Sequence, residues 1–420
     1  MRRAGILFFF GAVACASLPR STDDEAVAGD QRDQPVRIAL ATSAREARIG
    51  GVGAWVMYNR STVQRIFRGK ATDEVRVEIR SGRLAYTRGE GPIASTRYSG
   101  PYIFRSMTPG ALLKYDGKRY RGEIHIFATD SGMLIVNRLG MESYLRGVVP
   151  LEIGNRRPGE EASVQAQAVA ARTYSYVHIA EAGSRAFDMY STVQDQVYGG
   201  ADAEKPMADD AIIATKDMVL RYAGKVINTP YHSTCGGSTA SVEEVWWRKP
   251  SQPYLRPVSD RIPGSNGYYC DPSPRFRWTT IFQRAELKAT VEKYLAQYST
   301  GVPSGSIGSI TGVRIEGRTP SDRVSAVTFQ TSRGNYLIRG DDVRFVLRSP
   351  SGTILNNTYF TAEVTPGPNG EVGTLTVKGG GYGHGIGMCQ WGAIGRARAG
   401  QDYKTILTTY YPGTTVGPID

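Results

Sequence analysis

From Val36 onward, apolar and polar positions alternate in short runs. VRIALAT (36–42), VGAWVMYN (52–59), TVQRIFRG (62–69) and EVRVEIR (74–80) each read as a strand, separated by Gly and charged turns. Tyr120–Val136 continues the pattern around a hairpin-like Asp130-Ser131-Gly132. Residues 36–140 are therefore expected to form a β-rich N-terminal module. The period then changes. Ala162, Ala166, Val169, Thr173, Tyr176 and Ala180 recur at spacings of three and four, which predicts an alanine-rich helix packed on a sheet. Pro158 opens it, Glu160 and Glu161 sit in its first turn, and Gly183 lies past its end. A second helix is expected over 285–298, with Leu287, Val291, Tyr294 and Leu295 on one stripe. VTFQT (327–331), YLIR (336–339), VRFVL (343–347) and TLTVK (374–378) return to strands. A last helix runs from an Asp402 N-cap to Tyr410 and stops at Pro412-Gly413. There is no internal repeat and no heptad pattern. The class is α+β and strand-dominated.

The ends of the chain change this picture. Residues 1–16 carry Arg2 and Arg3, a short apolar stretch over 6–14, and then small residues, an export leader too short to span a bilayer. Two cleavage readings stay open. Ala12-Val13-Ala14-Cys15 resembles a lipobox in which Cys15 is lipidated; Ala14-Cys15-Ala16 fits ordinary cleavage. The lipobox is preferred because the cysteine ends so short an apolar stretch, although Ala12 stands where Leu is usual. Residues 17–35 are polar and acidic and read as a flexible tether. The expected location is extracytoplasmic, on a lipid anchor facing the cell wall or periplasm.

Composition narrows the partners. The 420 residues carry 51 Lys and Arg against 39 Asp and Glu, a net charge of +12 that falls to about +10 when the leader arginines leave. Such a balance asks for an acidic partner, and export argues against nucleic acid. Gly is 49 and Tyr 24, whereas His is only 4, which favours turns and aromatic surfaces over multi-histidine metal chemistry.

Three segments and a set of aromatic residues hold candidate chemistry. In Gly147–Gly154, Glu152 stands between Leu151 and Ile153, just before the alanine-rich helix. Apolar neighbours would raise its pKa and suit it to general-acid work; the plainer alternative is helix capping or a pair with Arg172. The Gly379–Gly387 run lacks the Gly-Lys-Ser/Thr and the later acidic residue of nucleotide sites. It reads as a tight connection that presents His384 to a bulky polymer. Tyr231–Gly237 holds His232 and Cys235 in an His-x-x-Cys arrangement. Zinc wants four ligands in close pairs, and the other cysteines are isolated in sequence. Export favours a disulfide between Cys235 and Cys270, leaving Cys389 free. A hydrolase with Cys235 as nucleophile is a weaker alternative. Aromatic residues, including Tyr198, Trp246, Trp247, Tyr382 and Trp391, collect near these loops and suit stacking on sugar rings as well as a core.

Several segments, in order, resemble the SpoIID/LytB peptidoglycan lytic transglycosylases: GMESYLRGVVPLE (140–152), QAQAVAARTY (165–174), QVYGG (196–200), YHSTCGG (231–237), EVW (244–246) with PYL (253–255), GYGHGIGMCQ (381–390) followed by Gly392-Ala393, and YYPG (410–413). The resemblance spans roughly 120–415. It implies a catalytic region over 141–420 and cleavage of the β-1,4 bond between N-acetylmuramic acid and N-acetylglucosamine, on strands whose stem peptides an amidase has removed. It places the catalytic glutamate on Glu152 and a substrate or transition-state contact on Arg172. Tyr198, His232 and His384 fall in the family's motifs as lesser site candidates. The partners implied are glycan strands and an amidase. The competing reading is a non-catalytic wall-binding activator of that amidase. Ser is frequent in the family where Cys389 stands, so this thiol is expected to be a bystander. Some members bind zinc through a loop near His232–Cys235; the companion His-Cys pair is missing here, and no metal or cofactor is expected. The segment over about 260–319 matches weakly and reads as an insertion.

Overall fold

The structure, a computed structural model, describes residues 34–89, 100–349 and 351–419. Cys15, the leader around it and the tether up to residue 33 lie outside the described residues.

Two antiparallel sheets form the front of the molecule. In one, the strands lie in the order Met189–Tyr190, Pro35–Ala44, Gly132–Gly140, Glu123–Thr129, Tyr102–Ser106, Trp55–Asn59 and Arg65–Gly69; only the short Met189–Tyr190 strand pairs in parallel. The other runs Arg83–Arg88, Glu74–Arg80, Glu46–Gly51, Leu113–Tyr115 and Lys118–Tyr120. The Asp130–Gly132 hairpin turn lies where the sequence put it, pairing Thr129 with Gly132. Alternate side chains point inward, among them the fully buried Trp55, Tyr102 and Phe104. Trp55 lies across the strand end at Gly69, where a side chain would collide with the indole.

This core does not stop at residue 140. Helix α1 (Met141–Ile153) follows without a loop and buries Tyr144, Leu145, Val148 and Val149 against the same strands. Helix α2 (Glu161–Ala182) crosses behind it. Its start is three residues later than the sequence suggests, because Gly159 takes φ +90° and turns the chain before Glu160, which becomes the N-cap position. The helix packs on the Met218–Tyr222 strand and, on its other sides, against further helices. Its middle, Ala166–Thr173, is buried on every side: Val164, Ala168 and Ala171 join the front core, while Ala166, Val169 and Ala170 join a second one. Alanine at four of these eight positions allows that close approach, and the buried Arg172 is held by its own hydrogen bonds. Helix α3 (Pro206–Ala214) covers the outer side of α1 and α2.

The rear of the molecule holds shorter elements. A parallel pair, Tyr231–His232 with Met388–Cys389, joins the middle of the chain to its end. Helix α4 (Val242–Val245) leads to the region beyond residue 260. There, Arg277–Gln283, Val372–Gly380 and Phe360–Pro366 form one sheet, and Ile310–Arg318, Val324–Thr331 and Gly334–Arg339 another. Residues 260–319 thus complete sheets with residues 324–380. Helix α5 (Arg284–Tyr294) buries Leu287 and Val291 as expected. VRFVL (343–347) is not a strand: it forms helix α6 (Asp342–Val346), burying Val343, Val346 and Leu347 at spacings of three and four. An apolar run this short satisfies either period. Helices α7 (Gln390–Arg398) and α8 (Tyr403–Tyr410) close the fold, α8 starting where the Asp402 carboxylate accepts the Thr405 N–H at 2.8 Å. No helix among the described residues is long and apolar enough to cross a membrane.

Candidate active site

Glu152 is the next-to-last residue of α1, inside a helix rather than ahead of one. Gly147 and Pro150 make the segment look unhelical, yet both fit. Gly154 takes φ +75° and its N–H closes on the Pro150 carbonyl at 3.1 Å, ending the helix just past the carboxyl. Gly147 is required by its neighbour, since a Cβ there would lie 2.5 Å from the Tyr198 ring. The aligned peptide dipoles leave partial negative charge at this end of the helix, which disfavours an anion.

The 196–200 motif is clamped onto α1 at this point. The Gly199 N–H donates to the Gly147 carbonyl at 3.1 Å. The Val197 N–H donates to Glu152 Oε1 at 2.8 Å. Gln196 is fully buried and fully used: its amide donates to the Ala171 carbonyl and the Tyr231 hydroxyl, and its carbonyl accepts from Tyr144 and Ser175. That network fixes the backbone carrying the Val197 amide. From the opposite side, the Gln390 side chain reaches Glu152 and also donates to Gln167 Oε1 at 3.2 Å.

Burial pushes the Glu152 carboxyl up to about 7, against the pull of the Val197 and Gln390 hydrogen bonds. A carboxyl in that range exists in both protonation states near neutral pH. The site thus holds a carboxyl able to give a proton and to take one back, among polar groups that are themselves neutral. Leu151 beside it is 46 % exposed, so the end of α1 opens to solvent. Arg156 stacks over Trp391, the residue after Gln390, 5.7 Å from the ring centre.

The other expected site residues have different settings. Arg172 is fully buried. Its guanidinium grips Glu142 with two bonds of 2.8 and 2.7 Å and donates to the Met218 and Ile212 carbonyls. It is a structural cation joining α1 to α2, spent inside the fold rather than offered to a substrate. Tyr198 is a core side chain, wedged on Gly147 and Tyr144, with its hydroxyl on Asn137 at 2.8 Å. His384 has both nitrogens engaged: the Ile386 N–H donates to Nδ1 at 3.0 Å, and Nε2 donates to the Tyr231 carbonyl at 2.9 Å. Burial lowers its pKa to about 3, so the ring is neutral and pins the Gly-rich loop to the Tyr231 strand. His232 donates from Nδ1 to the Ile386 carbonyl at 3.1 Å; burial lowers it to about 4, and its Nε2 is buried without a partner. Trp247 and Tyr382 are exposed aromatics, whereas Trp246 packs on His384.

Cys235 and Cys270 do come together, at 3.5 Å between sulfurs, but as free thiols. Cys389 and Asp260 lie beside them, and the four donor atoms are within 4.8 Å of one another. Sequence reasoning missed Val197, Gln196 and Gln390 as functional. Two are glutamines within motifs already singled out. A backbone amide leaves no signal in residue type.

Comparison with known proteins agrees with this architecture. Residues 129–222, which hold Glu152, Arg172 and Gln196, match the family described as "Stage II sporulation protein" (SpoIID), and residues 261–387 match a domain of unknown function, DUF8618. An uncharacterized protein of Brachyspira hyodysenteriae is 33 % identical over 303 residues, covering 72 % of this chain and 73 % of that one. The amidase enhancer of Bacillus subtilis (strain 168) is 32 % identical over 332 residues, 72 % of this chain but 45 % of that longer protein. The stage II sporulation protein D of the same organism is 28 % identical over 303 residues, 68 % of this chain and 76 % of its own. With its motifs in order and a relative at this identity matched over most of its length, the chain belongs to the SpoIID family.

Proposed function

We propose that this protein is a lytic transglycosylase of peptidoglycan, with Glu152 as its acid and base. The observation that carries the reading is the carboxyl itself: at the end of α1, held by one backbone amide and one glutamine, and pushed up to about 7 by burial. Hydrolysing glycosidases ordinarily need two carboxyl groups, the second to activate water or attack the sugar. An intramolecular closure needs one. Protonated Glu152 gives its proton to the glycosidic oxygen as the bond from C1 of N-acetylmuramic acid breaks. The carboxylate so formed takes the proton of the muramyl 6-hydroxyl while that oxygen bonds to C1. The enzyme regains its proton, and the products are a 1,6-anhydromuramyl end and a new N-acetylglucosamine end. A pKa near the working pH suits both half-steps. Arg156 over Trp391, the residue after Gln390, sets a cation on an aromatic face, the combination a sugar bearing a free carboxylate recognises.

The substrate we assign is glycan stripped of its stem peptides, since removing them frees the lactyl carboxylates that a basic protein attracts. The place of action is outside the cytoplasm, on a lipid anchor at Cys15. A second reading has its own support: a relative is named amidase enhancer, which points to a non-catalytic wall protein that stimulates an amidase.

The deciding experiment incubates the protein with amidase-stripped glycan strands and reads the products by mass spectrometry. The transglycosylase reading expects 1,6-anhydromuramyl ends, and a loss of about 10²–10⁴-fold in Glu152→Gln. Folded wild-type protein that makes none, yet stimulates an amidase, leaves the second reading standing.

A further inference from the structure

We propose that Cys235, Cys270, Cys389 and the Oδ2 oxygen of Asp260 form a binding site for one divalent metal ion of the zinc class. The four residues come from four separate segments: the loop after the Tyr231–His232 strand, the turns at 260 and 270, and the strand leading into α7. All are buried, at 0–1 % exposure. Their donor atoms lie within 4.8 Å of one another, with 3.5 Å between the Cys235 and Cys270 sulfurs and 3.2 Å from the Cys235 sulfur to Asp260 Oδ2. A tetrahedral ion with sulfur at ~2.3 Å and oxygen at ~2.1 Å sets its ligands about 3.6–3.8 Å apart. The cluster is thus sized for a single ion. Three sulfurs and one carboxylate oxygen suit a soft or borderline cation, and four protein ligands with no open position describe a structural site.

The surroundings fit ligands that must lose protons. Backbone amides point at the sulfurs: Cys235 N–H and Gly392 N–H donate to Cys389 Sγ at 3.2 and 3.3 Å, and Gly237 N–H to Cys235 Sγ at 3.4 Å. Such bonds favour thiolates. Asp260 is split in its duties. Oδ1 accepts from Arg396 at 3.1 Å and Tyr410 at 2.6 Å, which leaves Oδ2 turned toward the sulfurs, the usual arrangement of an oriented ligand. Gly392 has to lack a side chain, because a Cβ would strike that same Oδ2. Three thiolates and a carboxylate exceed the charge of a divalent ion. Two buried guanidiniums offset the excess: Arg396 on Asp260, and the fully buried Arg323, which donates to the Cys235 and Ser238 carbonyls and keeps a bare Nε. Binding sends the thiol protons to solvent.

A Cys235–Cys270 disulfide explains only two of these four groups. It leaves a third thiol and a buried carboxyl, with its two cations, facing the sulfurs to no purpose. With an ion bound, Cys389 is a ligand rather than a bystander, and the site ties the Tyr231 loop to the strand that leads into Gln390.

The test uses the full chain, exported by its host and purified without reductant or chelator. Elemental analysis is expected to give about one zinc per chain. Exchange with Co²⁺ should yield a tetrahedral visible spectrum and thiolate-to-cobalt charge transfer. After chelation in denaturant, alkylation and mass analysis should modify Cys235, Cys270 and Cys389 alike. Asp260→Asn and Cys389→Ser should lower the stoichiometry; if they fail to fold, the cobalt spectrum of the native chain still decides. A metal-free protein lighter by two hydrogens, with one modifiable thiol among the three, overturns the proposal in favour of a disulfide. So does zinc retained in full by folded Cys389→Ser. Glu152→Gln should keep its metal, so the outcome is independent of the catalytic reading.

Discussion

A carboxyl that ends a helix has the peptide dipoles against it, and Glu152 bears burial as well. Two hydrogen bonds keep it in place without making it a stable anion. The consequence for folding has a definite sign. The native carboxyl titrates at about 7 against an ordinary value of 4.5, so between these pH values the folded chain binds more protons than the unfolded one. Stability is therefore lost as pH rises from below 4.5 through about 7, by at most ~3 kcal/mol. Glu152→Gln keeps a carbonyl for the Val197 amide and has no charge to desolvate. Its Tm should match that of wild type at pH 4 and exceed it at pH 8. A difference that stays the same at both pH values would contradict the shifted carboxyl. In the wild-type enzyme, the rate under general-acid control should fall about tenfold per pH unit above 7.

At the scale of elements, the sequence was readable wherever one period ruled. The front strands, the Asp130–Gly132 turn, α5 and the Asp402 cap follow directly from alternation, spacing and capping chemistry. Helix α1 was hidden because Gly147 and Pro150 lower its intrinsic propensity. The Tyr198 ring, brought in from 51 residues away, and the Gly200 carbonyl explain the glycine. Arg172 shows the same limit in a site residue. Its motif was plain, its partner was not: Glu142 lies within the neighbouring motif, but nothing in residue type says that the two pair. The pair makes a test at this scale. Arg172→Met removes the buried cation that joins the Glu142 carboxylate to the Met218 and Ile212 carbonyls. It should cost about 3–5 kcal/mol, seen as a lower urea midpoint with an unchanged m-value. Whatever folds should retain near-normal KM. A variant of normal stability with a raised KM would instead return Arg172 to the substrate.

At the scale of the molecule, the front sheets, α1 and α2 share one core, and α2 passes from that core into the next. The Glu152 carboxyl, the Val197 amide and Gln390 come from opposite ends of this arrangement, so the site exists only when the whole chain is folded. The charge acts at the same scale. The excess of about 10 positive charges that remains without Arg2 and Arg3 needs no single arginine to meet the glycan; it raises the local concentration of an anionic polymer around the protein. Each stem peptide removed adds a lactyl carboxylate to the strand, so stripped glycan should bind tighter than peptide-bearing glycan at low salt. Screening shortens from about 10 Å at 0.1 M to about 3 Å at 1 M ionic strength, and across that range the preference should shrink. The Glu152 carboxyl is largely buried, where salt screens poorly, so kcat should hold while KM rises. Titration of the two glycans in sodium chloride, with turnover measured at saturation, separates these effects. A preference that survives at 1 M salt would mean that shape contacts, not the field of the basic surface, select the stripped strand.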